Sequence, residues 1–192
     1  SAQRQFLNSD AAVGAWWSAQ TKWDFPPAYA LTTAGFLSGF DPDFVDHMAH
    51  VAVKTALPYC DGGTSNGTEY DITYDRVFLP SAEQLNWTQA SYGIPTGLEG
   101  DPWAYWVEVY GSTKATVSNT HPEFRMSSLD AKTTMRSVFE RSAYRSNGSN
   151  VAHCSTSGNL NNNNVNSSNN YGVRPAFYQT KGCMTIVCNE KR

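Results

Sequence analysis

The sequence feature that most restricts the possible folds of this chain is the junction between an asparagine-rich run and an apolar segment. Residues 158–170 contain eight asparagines among 13 residues. The sequence Tyr-Gly-Val-Arg-Pro-Ala-Phe follows at once, from Tyr171 to Phe177, and has the composition of a core strand. A flexible linker or an aggregation-prone polar repeat would not pass into a core strand without a spacer. We therefore expect the asparagine-rich run to form short strands and loops at the edge of a sheet.

The composition predicts a single folded domain over residues 1–192. Hydrophobic residues make up 40% of the chain and aromatic residues 13%, which is enough for a substantial core. Charged residues make up only 16%, so uncharged polar side chains must cover much of the surface. Such a surface suits an extracellular or virion protein with a polar recognition surface.

Several classes of partner are disfavoured. The net charge is −3 and no cluster of Lys and Arg stands out, so we expect no nucleic-acid partner. No apolar run approaches the roughly 20 residues of a transmembrane helix, and residues 1–10 lack the apolar centre of a signal peptide. The four cysteines form no Cys-x-x-Cys motif, and no metal or cofactor is expected. Most of the four cysteines should be free and buried, although the sequence leaves open whether Cys183 and Cys188 form a disulfide.

No catalytic motif favours an enzyme. The chain has no Gly-x-Ser-x-Gly, P-loop or dinucleotide fingerprint. His47 and His50 lie near Asp43 and Asp46, but we interpret them as a solvated helix face rather than half of a metal site. The catalytic carboxylate pair of a glycosidase is defined by the distance between the two groups in the folded protein, so spacing along the sequence does not rule one out. Nothing in the sequence supports such a pair among Glu69, Asp71, Asp75, Glu99, Asp101 and Glu108.

Helical signals concentrate in the first half of the chain. We predict a helix within residues 6–22 and a clearer one over residues 41–57, where Asp41 is a good N-cap and Pro42 occupies the first helical position. Its buried stripe would consist of Phe44, Met48, Val51, Ala52 and Thr55.

Strand signals dominate the second half. Strands are predicted at residues 77–79, 137–146, 172–178 and 181–192. Residues 103–111 fit either a strand or a buried helix. Ser81 and Gln84 have the spacing of a capping box. The order predicts an α+β fold with two helices and an antiparallel sheet. Arg141 and Arg174 lie within core-like segments, and we interpret both as hydrogen-bonded braces rather than anion binders.

The window from Tyr144 to Tyr171 has an unusual composition. Its 28 residues include ten Asn and no Lys, Glu, Gln, Trp or Met, although these five types supply 29 of the 192 residues. None of the five has a codon that ends in a pyrimidine, whereas every residue type present in the window has one. Asn, Ser, Gly and Tyr also favour adaptable binding surfaces. A plain polar loop, with Ser157-Gly158 as a hairpin turn, would have a similar composition.

Three segments carry a resemblance to a known family. Residues 35–55, 75–85 and 137–177 resemble gut-bacterial and phage domains with a C-type-lectin-like fold. That family has an aromatic pair before Arg-Ser-Pro and closes on Gly-Val-Arg-Pro-Ala. This chain has Val138-Phe139 at the pair, Arg141-Ser142-Ala143 without the proline, and the whole closing motif at residues 172–176.

Some members of that family resemble the variable proteins of diversity-generating retroelements, in which Asn codons are rewritten. The resemblance implies a C-type-lectin-like domain with residues 144–171 as the variable region, on a phage virion or a bacterial cell surface. It implies a protein or glycan ligand, contacted by Tyr144, Asn147, Asn150, His153, Ser155, Asn159, Asn161, Asn163, Asn166, Asn169 and Tyr171.

Two other interpretations stay open beside this one. A domain of the same fold that does not vary could serve a structural or adhesive role in a phage fibre or a bacterial surface protein. A related fold hosts a formylglycine-generating oxidase, but that chemistry needs an active-site cysteine pair, which no spacing here suggests.

Overall fold

The protein has an α+β fold built from short elements. The computed structural model describes residues 2–14, 32–87, 92–110, 127–128, 135–145, 147, 149–156, 160–164 and 171–180. The α-helices in these ranges are α1 (Ala2–Leu7), α2 (Pro42–Asp46) and α3 (Ala104–Tyr110). The strands are β1 (Val51–Ala56), β2 (Tyr70–Asp75), β3 (Ser127–Ser128), β4 (Met135–Arg136), β5 (Val138–Ala143), β6 (Asn150–Cys154), β7 (Leu160–Asn164) and β8 (Gly172–Val173). The predicted α+β class is confirmed, with three described α-helices instead of two.

The sheets are mixed rather than wholly antiparallel. The largest sheet has the order β7-β6-β5-β8, and the other two pair β1 with β2 and β3 with β4. Strand β6 is antiparallel to both β5 and β7, whereas β8 is parallel to β5. The predicted strand over residues 172–178 contributes only β8 and a bridge between Ala176 and Phe78.

The long helix predicted over residues 41–57 is wrong. Its start is confirmed, because the Asp41 side chain accepts the N–H of Asp43 and Pro42 opens the helix, but α2 ends at Asp46. Strand β1 follows, with Val53 buried and Lys54 exposed. Three of its six residues are β-branched, and such side chains lose rotamer freedom in a helix and suit a pleated strand.

The other local predictions have mixed outcomes. Helix α1 ends at Leu7 and residues 9–14 are not helical, while residues 15–22 of that prediction lie outside the described residues. Residues 77–79 contribute only the bridge at Phe78. Residues 103–111 contain a helix, α3, rather than a strand. Residues 181–192, with Cys183 and Cys188, lie outside the described residues.

The capping box between Ser81 and Gln84 is confirmed. The Gln84 N–H donates to the Ser81 hydroxyl at 3.1 Å, and the Ser81 N–H donates to the Gln84 side-chain oxygen at 3.1 Å. The box closes a turn over residues 82–86 instead of starting an α-helix.

Contacts divide the chain into two units. One unit is drawn from residues 1–51, 75–77 and 177–192, and the other from residues 52–74 and 78–176. In the first unit, the Arg4 guanidinium binds the buried Asp75 carboxylate through two contacts of 2.6 and 2.9 Å. Four phenylalanine rings, Phe36, Phe40, Phe44 and Phe177, form an edge-to-face and tilted row in the same unit.

The hydrophobic core of the second unit lies against one side of the largest sheet. Val138, Ala152, Cys154 and Leu160 enter it from β5, β6 and β7. The opposite wall is the turn after Ser81, the segment around Tyr92 and helix α3, which contribute Ala82, Leu85, Trp87, Tyr92, Ile94 and Trp106. Free Cys154 is fully buried, as predicted for most cysteines, whereas free Cys60 is exposed.

Arginine side chains hold separate loops of this unit together. Arg141 donates to the carbonyl oxygens of Lys54 at 3.0 Å, Leu79 at 2.8 Å and Glu99, and to the Gln84 side chain at 2.5 Å. The interpretation of Arg141 as a brace is confirmed. Arg174 is half-buried, and its predicted role stays a prediction.

Candidate ligand-binding face

The largest sheet has one side in the core and one side away from it. Strand register places Phe139 opposite His153 and His153 opposite Asn161, so these three share a side. Val151 and Asn163 face each other two residues further along the same strands. Because side chains alternate along a strand, this side is opposite the one that carries Cys154 and Leu160 into the core. We call it the outer face: Phe139, Val151, His153, Asn161, Asn163 and the covering residue Tyr171.

Tyr171 contacts three residues of the outer face. Its ring stacks on Phe139 with a centroid separation of 4.4 Å and an angle of 21° between the rings. The Asn163 amide donates to its hydroxyl, and its ring also meets the edge of His153 at 5.0 Å. Position 171 directly precedes β8, so the sheet fixes where this ring lies.

His153 is a correction to the predicted contact residues. It is only 4% exposed, edge-on to both rings of the Phe139–Tyr171 stack, and is therefore not available to a ligand at the surface. Its Nδ1 has no hydrogen-bond partner within the described structure. Burial in these surroundings lowers the pKa of His153, against a smaller opposing effect of a hydrogen bond with the Cys154 backbone.

Asn161 and Asn163 cap the backbone of their own strand. The Asn162 N–H donates to the Asn161 side-chain oxygen at 2.8 Å, and the Asn164 N–H donates to the Asn163 side-chain oxygen at 2.7 Å. A backbone N–H can be accepted only by the oxygen of an amide, so both side-chain orientations are fixed. Asn161 is exposed and Asn163 half-buried.

Asn150 lies on the opposite, core side of the sheet. Its amide donates to the Asn162 side-chain oxygen at 2.8 Å, and Asn162 also hydrogen-bonds the side chain of Tyr92. Burial is the larger influence on Tyr92 and raises its pKa to about 12. Tyr144 packs against the same core, edge-to-face with Tyr92 at 5.2 Å. These two predicted contact residues, Asn150 and Tyr144, thus support the sheet from within.

The remaining predicted contact residues fall into two groups. Asn147 is exposed in the turn before β6, where its side-chain oxygen accepts the Ser149 N–H at 3.1 Å, and Ser155 is half-buried just after β6. Asn159, Asn166 and Asn169 lie outside the described residues, as do Ser157 and Gly158. The antiparallel pairing of β6 and β7 does confirm that the chain reverses between Cys154 and Leu160.

Sequence reasoning missed two features of this region. Phe139 belongs to the outer face and stacks on Tyr171, although the sequence analysis placed it only at the aromatic pair of the family motif. Arg145 falls inside the predicted variable window, yet its side chain is fully buried and donates to the carbonyl oxygens of Thr64 at 2.6 Å and of Gly67 and Glu69 at 2.5 Å. The sequence signal that could have revealed this buried role is a single Arg in a stretch of small polar residues.

The described residues contain neither a candidate metal site nor a membrane-spanning helix. No three His, Cys, Asp or Glu side chains among them are grouped as metal ligands would be. None of the described helices has the length and apolar character needed to cross a bilayer.

Comparison with known proteins gives one family match. A family model described as a domain of unknown function (DUF6273) matches residues 1–179. No curated protein and no solved structure matches the chain.

Proposed function

The chain belongs to the DUF6273 family, whose description assigns no function, and we propose that it is a ligand-binding protein. The outer face would be the binding surface, carried on a C-type-lectin-like fold at a phage or bacterial surface. Residues 144–171 would be the segment that a retroelement diversifies, and the ligand a protein or glycan on another surface.

The proposal rests on one observation, which is that neighbouring side chains of β7 point alternately into the core and onto the outer face. Leu160 is buried in the core, whereas Asn161, the next residue, is exposed on the outer face. Residues 160–164 of the asparagine-rich run are therefore held at a fixed register and present amide groups from a sheet. Binding groups on a rigid element lose little conformational entropy when they bind.

The scaffold residues of the resemblance support the fold proposal. Arg141 braces several loops, and the buried hydroxyl of Ser142 donates to the Glu99 carboxylate at 2.5 Å and accepts the Ala82 N–H at 2.9 Å. These positions match Arg-Ser in the family motif and would remain fixed beneath a changing surface. Glu99 also accepts the Ala56 N–H at 2.9 Å, which links β1 to the same network.

A second candidate function is adhesion by a face that does not vary. It is favoured by the number of buried side chains within residues 144–171, which include Arg145, Ala152, His153, Cys154 and Leu160. Variation at these positions would disrupt buried packing or buried hydrogen bonds, so a wholly variable segment conflicts with the packing. Both candidates use the outer face for binding and differ in whether it changes between copies.

Cell binding tests the shared part of these proposals. Fluorescently labelled protein would be incubated with a panel of bacterial cells, and binding measured by flow cytometry. We expect Asn161→Ala and Asn163→Ala to weaken binding while Asn164→Ala, on the same strand but the opposite side, leaves it unchanged. Equal binding by all three variants would exclude the outer face. A nearby template repeat that differs from the gene only at adenines would then separate the variable protein from the fixed adhesin.

A further inference from the structure

Two backbone N–H groups on the outward edge of β7 are capped by side chains of the same strand. Asn150 uses its backbone groups on the β5 side, because its N–H donates to Asn147 and its carbonyl accepts the N–H of Tyr144. Its pair with Asn164 is therefore of the non-hydrogen-bonded kind, and pairs alternate along an antiparallel ladder. The N–H groups of Asn162 and Asn164 thus point away from β6, where the Asn161 and Asn163 oxygens accept them.

This capping makes the outer face a donor surface. With their oxygens engaged, Asn161 and Asn163 present their amide N–H groups, about 7 Å apart along the strand. Asn163 gives one of its two amide protons to Tyr171, and the Tyr171 hydroxyl proton remains available for donation. Of the six residues that define the outer face, none is acidic, and the one basic side chain, His153, is buried. A ligand that fits it must bring hydrogen-bond acceptors.

The aromatic stack adds a flat apolar platform beside these donors. One side of the Tyr171 ring lies against Phe139, and the residue is half-buried rather than enclosed, so part of the ring is left for contact with a ligand. The face of an aromatic ring is electron-rich and attracts polarised C–H groups. An apolar platform bordered by amide donors matches a sugar ring, which combines a C–H face with several oxygen acceptors.

We propose that the outer face binds a saccharide, with a pyranose ring against Tyr171 and its oxygens accepting from Asn161 and Asn163. This inference rests on the proposed ligand-binding function and names its ligand class. A peptide strand is the poorer fit, because strand addition needs the outward N–H groups that Asn161 and Asn163 already occupy. The mode uses only side chains of the protein and requires no metal ion.

Aspartate substitutions separate recognition from capping. Asn161→Asp keeps an oxygen that accepts the Asn162 N–H and removes both amide N–H groups, so the strand stays capped while the donors are lost. The matched control is Asn164→Asp, which makes the same charge change on the other side of β7. Binding would be measured on a printed array of neutral and acidic oligosaccharides in the presence of a calcium chelator. We expect at least about tenfold weaker binding for Asn161→Asp and little change for the control.

Two Tyr171 variants test the platform. Tyr171→Phe keeps the ring and removes the hydroxyl that accepts from Asn163, so we expect binding to weaken severalfold. Tyr171→Leu removes the ring, and we expect no measurable binding. Urea unfolding of each variant would verify that the sheet is intact. Equal binding by wild type, Tyr171→Leu and Asn161→Asp, all folded, would overturn the proposal.

Treated cells distinguish failure of the saccharide from failure of the proposed function. Periodate oxidises vicinal diols of sugars, whereas a protease removes surface proteins. We expect periodate, and not protease, to abolish cell binding that depends on Asn161. Asn161-dependent binding abolished only by protease would exclude the saccharide and leave the ligand-binding function standing. Binding that ignores Asn161 and Asn163, or a wild-type protein that binds no array sugar and no cell, would overturn both.

Discussion

At the residue scale, Arg145 carries the clearest stability prediction. Its buried guanidinium is shared among three backbone carbonyls of residues 64–69, and a lysine has neither the fork geometry nor the number of donors to replace it. We expect Arg145→Lys to lower the free energy of unfolding by about 3 kcal/mol in urea denaturation. The control is Arg76→Lys, whose partner Asp46 is 3.7 Å away and exposed, and which should cost less than about 1 kcal/mol. Equal losses would contradict the assigned role.

A second prediction at this scale concerns His153 and pH. Burial lowers its pKa in the folded protein, so between that pKa and the unfolded value of about 6.5 only the unfolded chain binds the proton. Unfolding then takes up a proton, and stability falls as the pH drops below about 6.5 until the folded pKa is reached. We expect His153→Phe, which fits the aromatic stack, to lose this part of the pH dependence in urea titrations. The control is His50→Gln at an exposed position, which should leave the pH dependence of stability unchanged. A similar loss of pH dependence in the His50→Gln variant would contradict the prediction.

At the scale of elements, the capping box gives a prediction for one turn. Ser81 is fully buried, and its hydroxyl accepts the Gln84 N–H. Ser81→Ala leaves that donor without its acceptor, and we expect a loss of about 1 kcal/mol in the free energy of unfolding. The exposed Ser149, replaced by Ala, is the control and should change stability by less than about 0.5 kcal/mol. A Ser81→Ala protein as stable as wild type would show that the box is dispensable.

Strand β7 gives a second prediction for an element. The Asn162 N–H is held by the Asn161 side chain, so removing that side chain exposes it to exchange. We expect Asn161→Ala to speed hydrogen–deuterium exchange of this amide about fivefold, as for one net hydrogen bond of about 1 kcal/mol. Asn161→Asp should preserve the protection. Identical exchange rates in the two variants, measured by NMR, would show that the side chain does not cap the strand.

Local signals predicted some of these elements and failed where tertiary packing decided. The start of α2 and the box at Ser81 follow from side chains that bond to neighbouring backbone, and both were predictable. The end of α2 was not predictable, because the apolar residues within 41–57 fit the spacing of a helical stripe and of a strand equally well. Val53 is buried and Ala52 exposed in a paired strand, and that pairing depends on β2, some 20 residues away.

At the scale of the whole molecule, the proposed site was predictable from the sequence as a region and not as a surface. The composition of residues 144–171 singled out the segment that contains β6 and β7, but period-two alternation sends Asn161 outward and Asn162 toward Tyr92. Register depends on β6, so no local pattern could divide a run of four asparagines in this way. The contribution of Phe139 depends likewise on the strand order β6-β5-β8, which brings it beneath Tyr171.

The same division makes a prediction about natural copies of this chain. If residues 144–171 are diversified, selection for folding should confine changes to side chains that face outward, such as Asn147, Asn161 and Asn163. Arg145 and Cys154 should stay constant, because substitution there leaves buried groups unsatisfied or opens a cavity. Deep sequencing of one bacterial or phage population would measure the substitution frequency at each position. Tyr74, which is 67% exposed outside the window, is the internal control. Equal variation at Tyr74 and Asn161 would mean that exposure alone permits change, whereas an excess at Asn161 requires a process directed at the window.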